Sequence, residues 1–204
     1  MTTTVRDAAE ADLPGILALV NALISTTTIE WRDEPHSLGS RRAWLAEHRA
    51  AGDPVLVAVD DEGGTDGAGT VVGMAAYSDF RDTARWPGYR FTVEHTVHVA
   101  ESHWGHGVGR LLVDALVERA AEAGKRVIVA AVDGDNAGSV RFHERLGFVQ
   151  VGRLPGVGDT HGRRLDLVLL QREVTRTGGG RTTRRTAGAD GRPAPPHRAA
   201  EPQA

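Results

Sequence analysis

Glu94 sits in a segment of alternating character, Thr92-Val-Glu-His-Thr-Val-His-Val99. That segment runs into a loop with glycine at every second place, Gly105-His-Gly-Val-Gly109, and then into an apolar helical pattern. Glycines at a helix start leave backbone N–H groups bare, at the end where the helix dipole is positive. Such a site binds phosphate. A carboxylate just upstream can move a proton. Together they point to an enzyme that uses a phosphorylated cofactor. His95, His98, His103 and His106 invite a zinc reading. Residues 95 and 98 are an odd number apart on a strand and point to opposite faces, and no His-Glu-x-x-His helix accompanies them. The glycine loop lacks the Lys-Ser/Thr of a triphosphate-binding loop. The acidic strand end expected about twenty residues on in a dinucleotide fold is also missing, since Glu122 falls within a helix.

The elements that must hold these residues follow from periodicity. Strands are predicted over 3–6, 54–59, 71–78, 91–101, 126–132, 148–154 and 164–170. Helices are predicted over 12–24, 37–48, 108–123 and 137–146. Asp12 is the expected cap of the first helix, and Asn136 or Asp135 of the last. The order is βααβββαβαββ. Early strands suit an antiparallel meander, and the crossover through 108–123 suits a central parallel pair. The fold class is therefore α/β, a mixed, mostly antiparallel sheet with helices on both faces.

The 204 residues suit one domain over 1–173 and a tail over 174–204. The tail is rich in Arg, Gly, Pro and Ala with almost no large apolar residue, and is expected to be disordered. The net charge of -3 gives no nucleic-acid bias, and the lack of Cys rules out disulfides and thiolate metal sites. No signal peptide and no apolar run of membrane-spanning length is evident, so the expectation is a cytoplasmic protein without membrane or nucleic-acid partners.

Several ordered segments resemble a known family. The glycine loop, Asn136 and Leu146-Gly-Phe148 are similar to the GNAT superfamily of N-acetyltransferases. Within it, Thr92–Val99, Asn136–Val140, Arg141–Phe148 and His161-Gly162 most resemble phosphinothricin N-acetyltransferases, as do Glu10–Pro14, Val20-Asn21 and Trp31–Pro35. The resemblance spans roughly Val5 to Gln171 and implies the GNAT fold. It implies acetyl-CoA as acyl donor, no metal, and direct transfer to the amine of a small amino acid such as phosphinothricin or methionine sulfoximine. It also implies a homodimer. By the same resemblance, the main chain of Val97, His98 and Val99 pairs with pantetheine. Gly105, His106, Gly107, Val108, Gly109 and Arg110 hold the pyrophosphate, and Asn136 meets the pantetheine or thioester end. Glu94 is the expected base. His143 stands where many members carry a Tyr that protonates the leaving thiolate. Arg81 and Arg85 are the expected ligands of the acceptor's anionic groups, with Arg32 and Tyr89 secondary and Trp31 as an apolar wall. Trp104 departs from the usual Gln or Arg at the start of the loop. Two other readings stand beside this one: a GNAT enzyme for an unrelated amine (antibiotic, polyamine or protein N-terminus), or a non-catalytic acyl-CoA sensor.

Overall fold

The computed structural model describes residues 3–28, 30–60 and 69–175. The expected tail falls almost wholly outside the described residues, as does most of the turn expected over 60–70.

Seven strands form one sheet: β1 (Thr3–Asp7), β2 (Val55–Asp60), β3 (Thr70–Asp79), β4 (Thr92–Val99), β5 (Val127–Asp133), β6 (Val149–Thr160) and β7 (Arg163–Glu173). Among the described residues four α-helices accompany them: α1 (Leu13–Thr26), α2 (Leu38–Ala51), α3 (Val108–Glu122) and α4 (Ala137–Arg145). This is the predicted element order. The spatial order is β1-β2-β3-β4-β5-β7-β6, so β7 returns to lie between β5 and β6. Among the described residues the pairing of β4 with β5 is the one parallel ladder, as the α3 crossover requires.

Strand alternation sorts two apolar layers. Val57, Met74 and Ala76 pack with Ile16, Val20 and Ile24 of α1 and Leu45 of α2. Ala75, Val93, Ile128 and Val168 pack on the other face with Leu112, Leu116 and Ala120 of α3. A side chain at Gly73 would stand 2.9 Å from Leu112, so glycine lets α3 settle against β3.

Some boundaries differ from expectation, with local reasons. Asp12 stands at the N-cap position of α1 but its side chain makes no cap hydrogen bond there. Its carboxylate turns back to accept two hydrogen bonds from Arg6, at 2.6 and 2.8 Å, and one from the Ala9 N–H at 2.7 Å. The Arg6 fork, with charge on both partners, outcompetes neutral backbone N–H donors for the carboxylate. The last two strands are longer than predicted. They form a hairpin closed by His161 and Gly162, both at positive φ. Pro155 lies within β6, where the register shifts between Leu154 and Gly158, on the edge of the sheet where a missing N–H costs no ladder bond. Asn136 does cap α4, accepting from Ser139 N at 2.9 Å.

Candidate active site

The parallel pairing of β4 and β5 stops at His95 and Ala130, although β4 continues to Val99 and β5 to Asp133. A cleft of about 530 Å³ occupies the gap. Its walls are Thr96–Val99 on one side, Ala131–Asp133 on the other, and α4 through Asn136, Ser139 and His143. Its outer end is the glycine loop and the first turn of α3.

That outer end has the form expected of a phosphate cradle. Gly105 and Gly107 have φ of 78° and 86°, a region that favours glycine, and a Cβ on either would meet nothing within 4 Å. Gly107 is the N-cap of the 15-residue helix α3 and supplies no side-chain cap, so the first-turn amides face the cleft. Gly109 has another reason: a Cβ there would lie 3.1 Å from Phe142, and its absence lets α4 close against α3. Bare amides, a dipole end and open space fit a pyrophosphate. Val97, His98, Val99, Gly105, Gly107, Val108, Gly109, Arg110, Asn136 and His143 all line the cleft. His106 does not; it is exposed beside it.

Trp104 also lines the cleft. Its indole is 51% exposed and its Nε1 donates to the Val99 carbonyl at 2.8 Å. It thereby braces the end of β4 and occupies a carbonyl that the resemblance assigned to pantetheine. Binding of a cofactor in the cleft is expected to change tryptophan emission. Trp104→Phe should abolish most of that change in a fluorescence titration, while an undiminished signal would place the ligand elsewhere.

The two faces of β4 carry different chemistry. His95 shares the α3/α4 face with His143 and Phe148, the ring centroids lying 5.2 and 5.3 Å away. Burial, and then the neighbouring His143, pushes the His95 imidazolium down to about 3, so the ring is neutral. His143 is also buried, which lowers its pKa against the opposing pull of its bond to Ser139. Its Nδ1 lies 2.8 Å from the Ser139 carbonyl, which can only accept, so Nδ1 bears the hydrogen. Nε2 is then a lone pair, and among the described residues it has no partner. The resting His143 is a proton acceptor, whereas the Tyr it replaces by resemblance is a donor.

Glu94, Thr96 and His98 share the opposite face with their cross-strand partners Ser78, Ala76 and Met74. Glu94 is half-buried, and burial raises its carboxyl pKa against the pull of Arg81. It stands one residue outside the cleft lining, not within it. Arg81 is exposed and is the one expected anion ligand that is electrostatically coupled to Glu94. Arg85 lies over the exposed Trp86 and Tyr89 lies 6.0 Å from Phe80; neither lines the cleft. Arg32 is exposed, its Nε donating to the Glu34 carbonyl. Trp31 packs against Gly158 of β6, where its ring leaves no room for a Cβ.

A further cluster on this face was not anticipated from sequence. Glu30 accepts from His98 Nε2 at 3.1 Å and from His36 Nε2 at 3.0 Å, with Arg41 Nη2 at 3.6 Å. Burial opposes ionisation of Glu30, but those two hydrogen bonds and the charges of His98 and Arg41 prevail and hold its pKa at about 2, from 4.5. Glu30 sits in a segment read as loop and His98 was read for its main chain, so only an approach across 68 residues reveals the pair. A carboxyl group depressed on folding stabilises the fold fully above pH 4.5, and that contribution is lost as pH falls toward 2. Glu30→Gln should therefore remove part of the acid sensitivity of unfolding in that window. An identical acid-unfolding curve for wild type and variant would contradict the network.

Comparison with known proteins agrees with this geometry. The model of the Acetyltransferase (GNAT) family matches residues 16–148. An L-methionine sulfoximine/L-methionine sulfone acetyltransferase from Pseudomonas aeruginosa is 44% identical over 171 residues, 84% of this chain and 94% of that protein. A phosphinothricin N-acetyltransferase from Alcaligenes faecalis is 36% identical, covering 84% of this chain and 82% of that protein. Among solved structures, a GNAT superfamily phosphinothricin acetyltransferase from Sinorhizobium meliloti in complex with acetyl-CoA aligns with a TM-score of 0.77 at 30% identity, over 92% of this chain and 96% of that one. A putative acetyltransferase from Salmonella typhimurium, solved with its cofactor acetyl-CoA, aligns at 0.78 and 34% identity, over 90% and 100%. With its family model, its full-length relatives and its split β4/β5 cleft in agreement, the chain belongs to the GNAT family of acetyltransferases.

Proposed function

We propose that this protein transfers an acetyl group from acetyl-CoA to the α-amine of a small amino acid of the methionine sulfoximine or phosphinothricin type. The observation that carries the reading is the cleft itself: an uncapped helix start at one end, proton-handling side chains at the other, and unpaired strand edges between. Acetyl-CoA supplies the activated acyl group. The amides of residues 105 and 107–110 are the groups to hold its pyrophosphate, and the edges of Val97 and His98 its pantetheine arm. Backbone N–H groups at that strand edge polarise the acyl carbonyl.

The amine arrives protonated near neutral pH and has no lone pair until it loses a proton. Glu94 is the carboxylate on the acceptor side of β4, and its position outside the cleft lining suits transfer through one water. Arg81 is the cation beside Glu94 and pairs with the acceptor's carboxylate. Amide formation releases a second proton from the nitrogen. His143 Nε2 is a free lone pair in the cleft, so it takes that proton and later delivers it to the departing sulfur. One proton leaves through Glu94 and one is passed on by His143, as the net reaction of an ammonium with a thioester requires.

The proposed assembly is a homodimer. The edge strand β6 leaves Val149, Val151 and Val157 more than half exposed, which supports an edge that meets a second copy. Light scattering should return twice the chain mass; a monomer at all concentrations would remove this part.

Thiol release from acetyl-CoA, measured with a panel of amino acids, polyamines and peptides, tests the function. Release with methionine sulfoximine or phosphinothricin and not with polyamines or peptides is expected. Binding of acetyl-CoA with no thiol release from any acceptor would leave the non-catalytic sensor in its place.

A further inference from the structure

Thr96 stands in the middle of the sheet and is nevertheless exposed. β4 is the fourth of the seven strands, and Ala76, the partner of Thr96 on β3, is only 3% exposed. The exposure comes from the other side. The β4/β5 ladder stops at His95 and Ala130, and the residues that follow, Thr96 and Ala131, are both exposed and both line the cleft. A β-branched side chain suits a strand, but valine would suit it as well. Strand propensity therefore accounts for the branch and not for the hydroxyl. That hydroxyl is both a donor and an acceptor, at an accessible position in the cleft wall.

Given the function proposed above, on which this inference rests, Glu94 takes a proton from the acceptor's amine through water. Glu94 and Thr96 share one face of β4, two residues apart. Two strand steps separate their origins by about 6.6 Å. A water that bonds two oxygens holds them up to about 5.6 Å apart, and the longer Glu side chain closes the remainder. Thr96 is the member of the pair on the cleft side, since it lines the cleft and Glu94 does not. We propose that the Thr96 hydroxyl anchors the water that carries the amine proton to Glu94. The water donates one hydrogen to the carboxylate and the other to Thr96 Oγ1, which leaves a lone pair for the ammonium N–H. The ammonium gives a proton to the water as the water gives one to Glu94. The water is restored, the hydroxyl keeps its own hydrogen, and the nitrogen is left with the lone pair that attacks the acyl carbon. Thr96 is a positioning residue here: it acts through the water. Ser78 is the natural contrast. It pairs with Glu94 across the ladder and is also exposed, but it lies on β3, away from β5, and does not line the cleft.

The test measures kcat by thiol release with saturating methionine sulfoximine. Thr96→Val keeps the branch and loses the hydroxyl, and should lower kcat about tenfold, the scale of one hydrogen bond, with the Kd of acetyl-CoA unchanged. Thr96→Ser should restore kcat. The loss should shrink as pH rises, because an amine that arrives unprotonated needs no relay. In a Glu94→Gln background the same substitution should cost less than about twofold, since the water then has no base to serve. Ser78→Ala should keep the wild-type kcat. Thermal melts check folding, and Thr96→Ala repeats the test should the valine variant not fold. Wild-type kcat in the Thr96 variants, an equally large loss in the Glu94→Gln background, or an equally large loss in Ser78→Ala overturns the proposal while leaving acetyl transfer intact. Failure of wild type to release thiol with any amino acid removes the underlying function and this inference with it.

Discussion

Glu94→Gln should lower kcat by a hundredfold or more, on the order of what a positioned base contributes, and leave the dissociation constant of acetyl-CoA within about threefold. The reason is geometric. Glu94 lies on the acceptor side of β4 and outside the lining of the cleft, so its removal takes no contact from the glycine loop. Gln keeps the volume and a hydrogen-bonding carbonyl but cannot take a proton. The loss should therefore appear in kcat and in kcat/KM alike, as expected when a transition-state interaction is removed. It should shrink as pH rises, because the free amine becomes more abundant and needs the base less. Burial raises the Glu94 carboxyl while Arg81 restrains it, so Arg81→Gln should move the acidic limb of the wild-type pH profile upward. A Glu94→Gln enzyme with near-wild-type kcat across the pH range would show that the proton goes elsewhere, with His143 among the acceptors that line the cleft.

Gly107→Ala should weaken acetyl-CoA binding by about tenfold to a hundredfold. Gly107 has φ of 86°, which costs an alanine about 1–2 kcal/mol of strain if the backbone is kept. Relaxing that strain turns the first-turn amides of α3 away from their common focus, and the new methyl stands in the open space before them. Gly52→Ala is the matched comparison. Gly52 ends α2 at φ of 74°, is also open to a Cβ, and does not line the cleft. Both variants should lose similar stability in thermal melts, and only Gly107→Ala should lose affinity in calorimetric titration. Equal affinity in the two would mean that the cradle does not hold the cofactor.

The sequence carries its local information plainly. The apolar spacing of α1 and α3, the Asn136 cap and the alternation of β4 are each set by neighbours within a few residues, and the structure has them. The placement of β7 between β5 and β6 was not legible, because it depends on which edge a long hairpin chooses. Asp12 looked like a helix cap because the sequence cannot show that Arg6 comes back within 2.6 Å. The site divides in the same way. The glycine loop is read from spacing, Asn136 and His143 from the family resemblance, and all three line one cleft. Glu30 is invisible until folding brings it to His98, and the protonation of His143 depends on a carbonyl that only the helix geometry supplies. The surroundings of Glu94 and Glu30 are least legible because they join the α1–α2 loop to β4 across a long stretch of sequence. Thr160 donating to Asp33 at 2.5 Å shows how that loop is tied down.

Incubation of the protein with acetyl-CoA bearing an isotope-labelled acetyl group, in the presence of methionine sulfoximine, tests the central claim most directly. NMR of the product should place the label in an amide on the α-nitrogen, with one equivalent of free thiol formed per amide. Label remaining on coenzyme A, or released only as acetate at the rate seen without acceptor, would contradict the account.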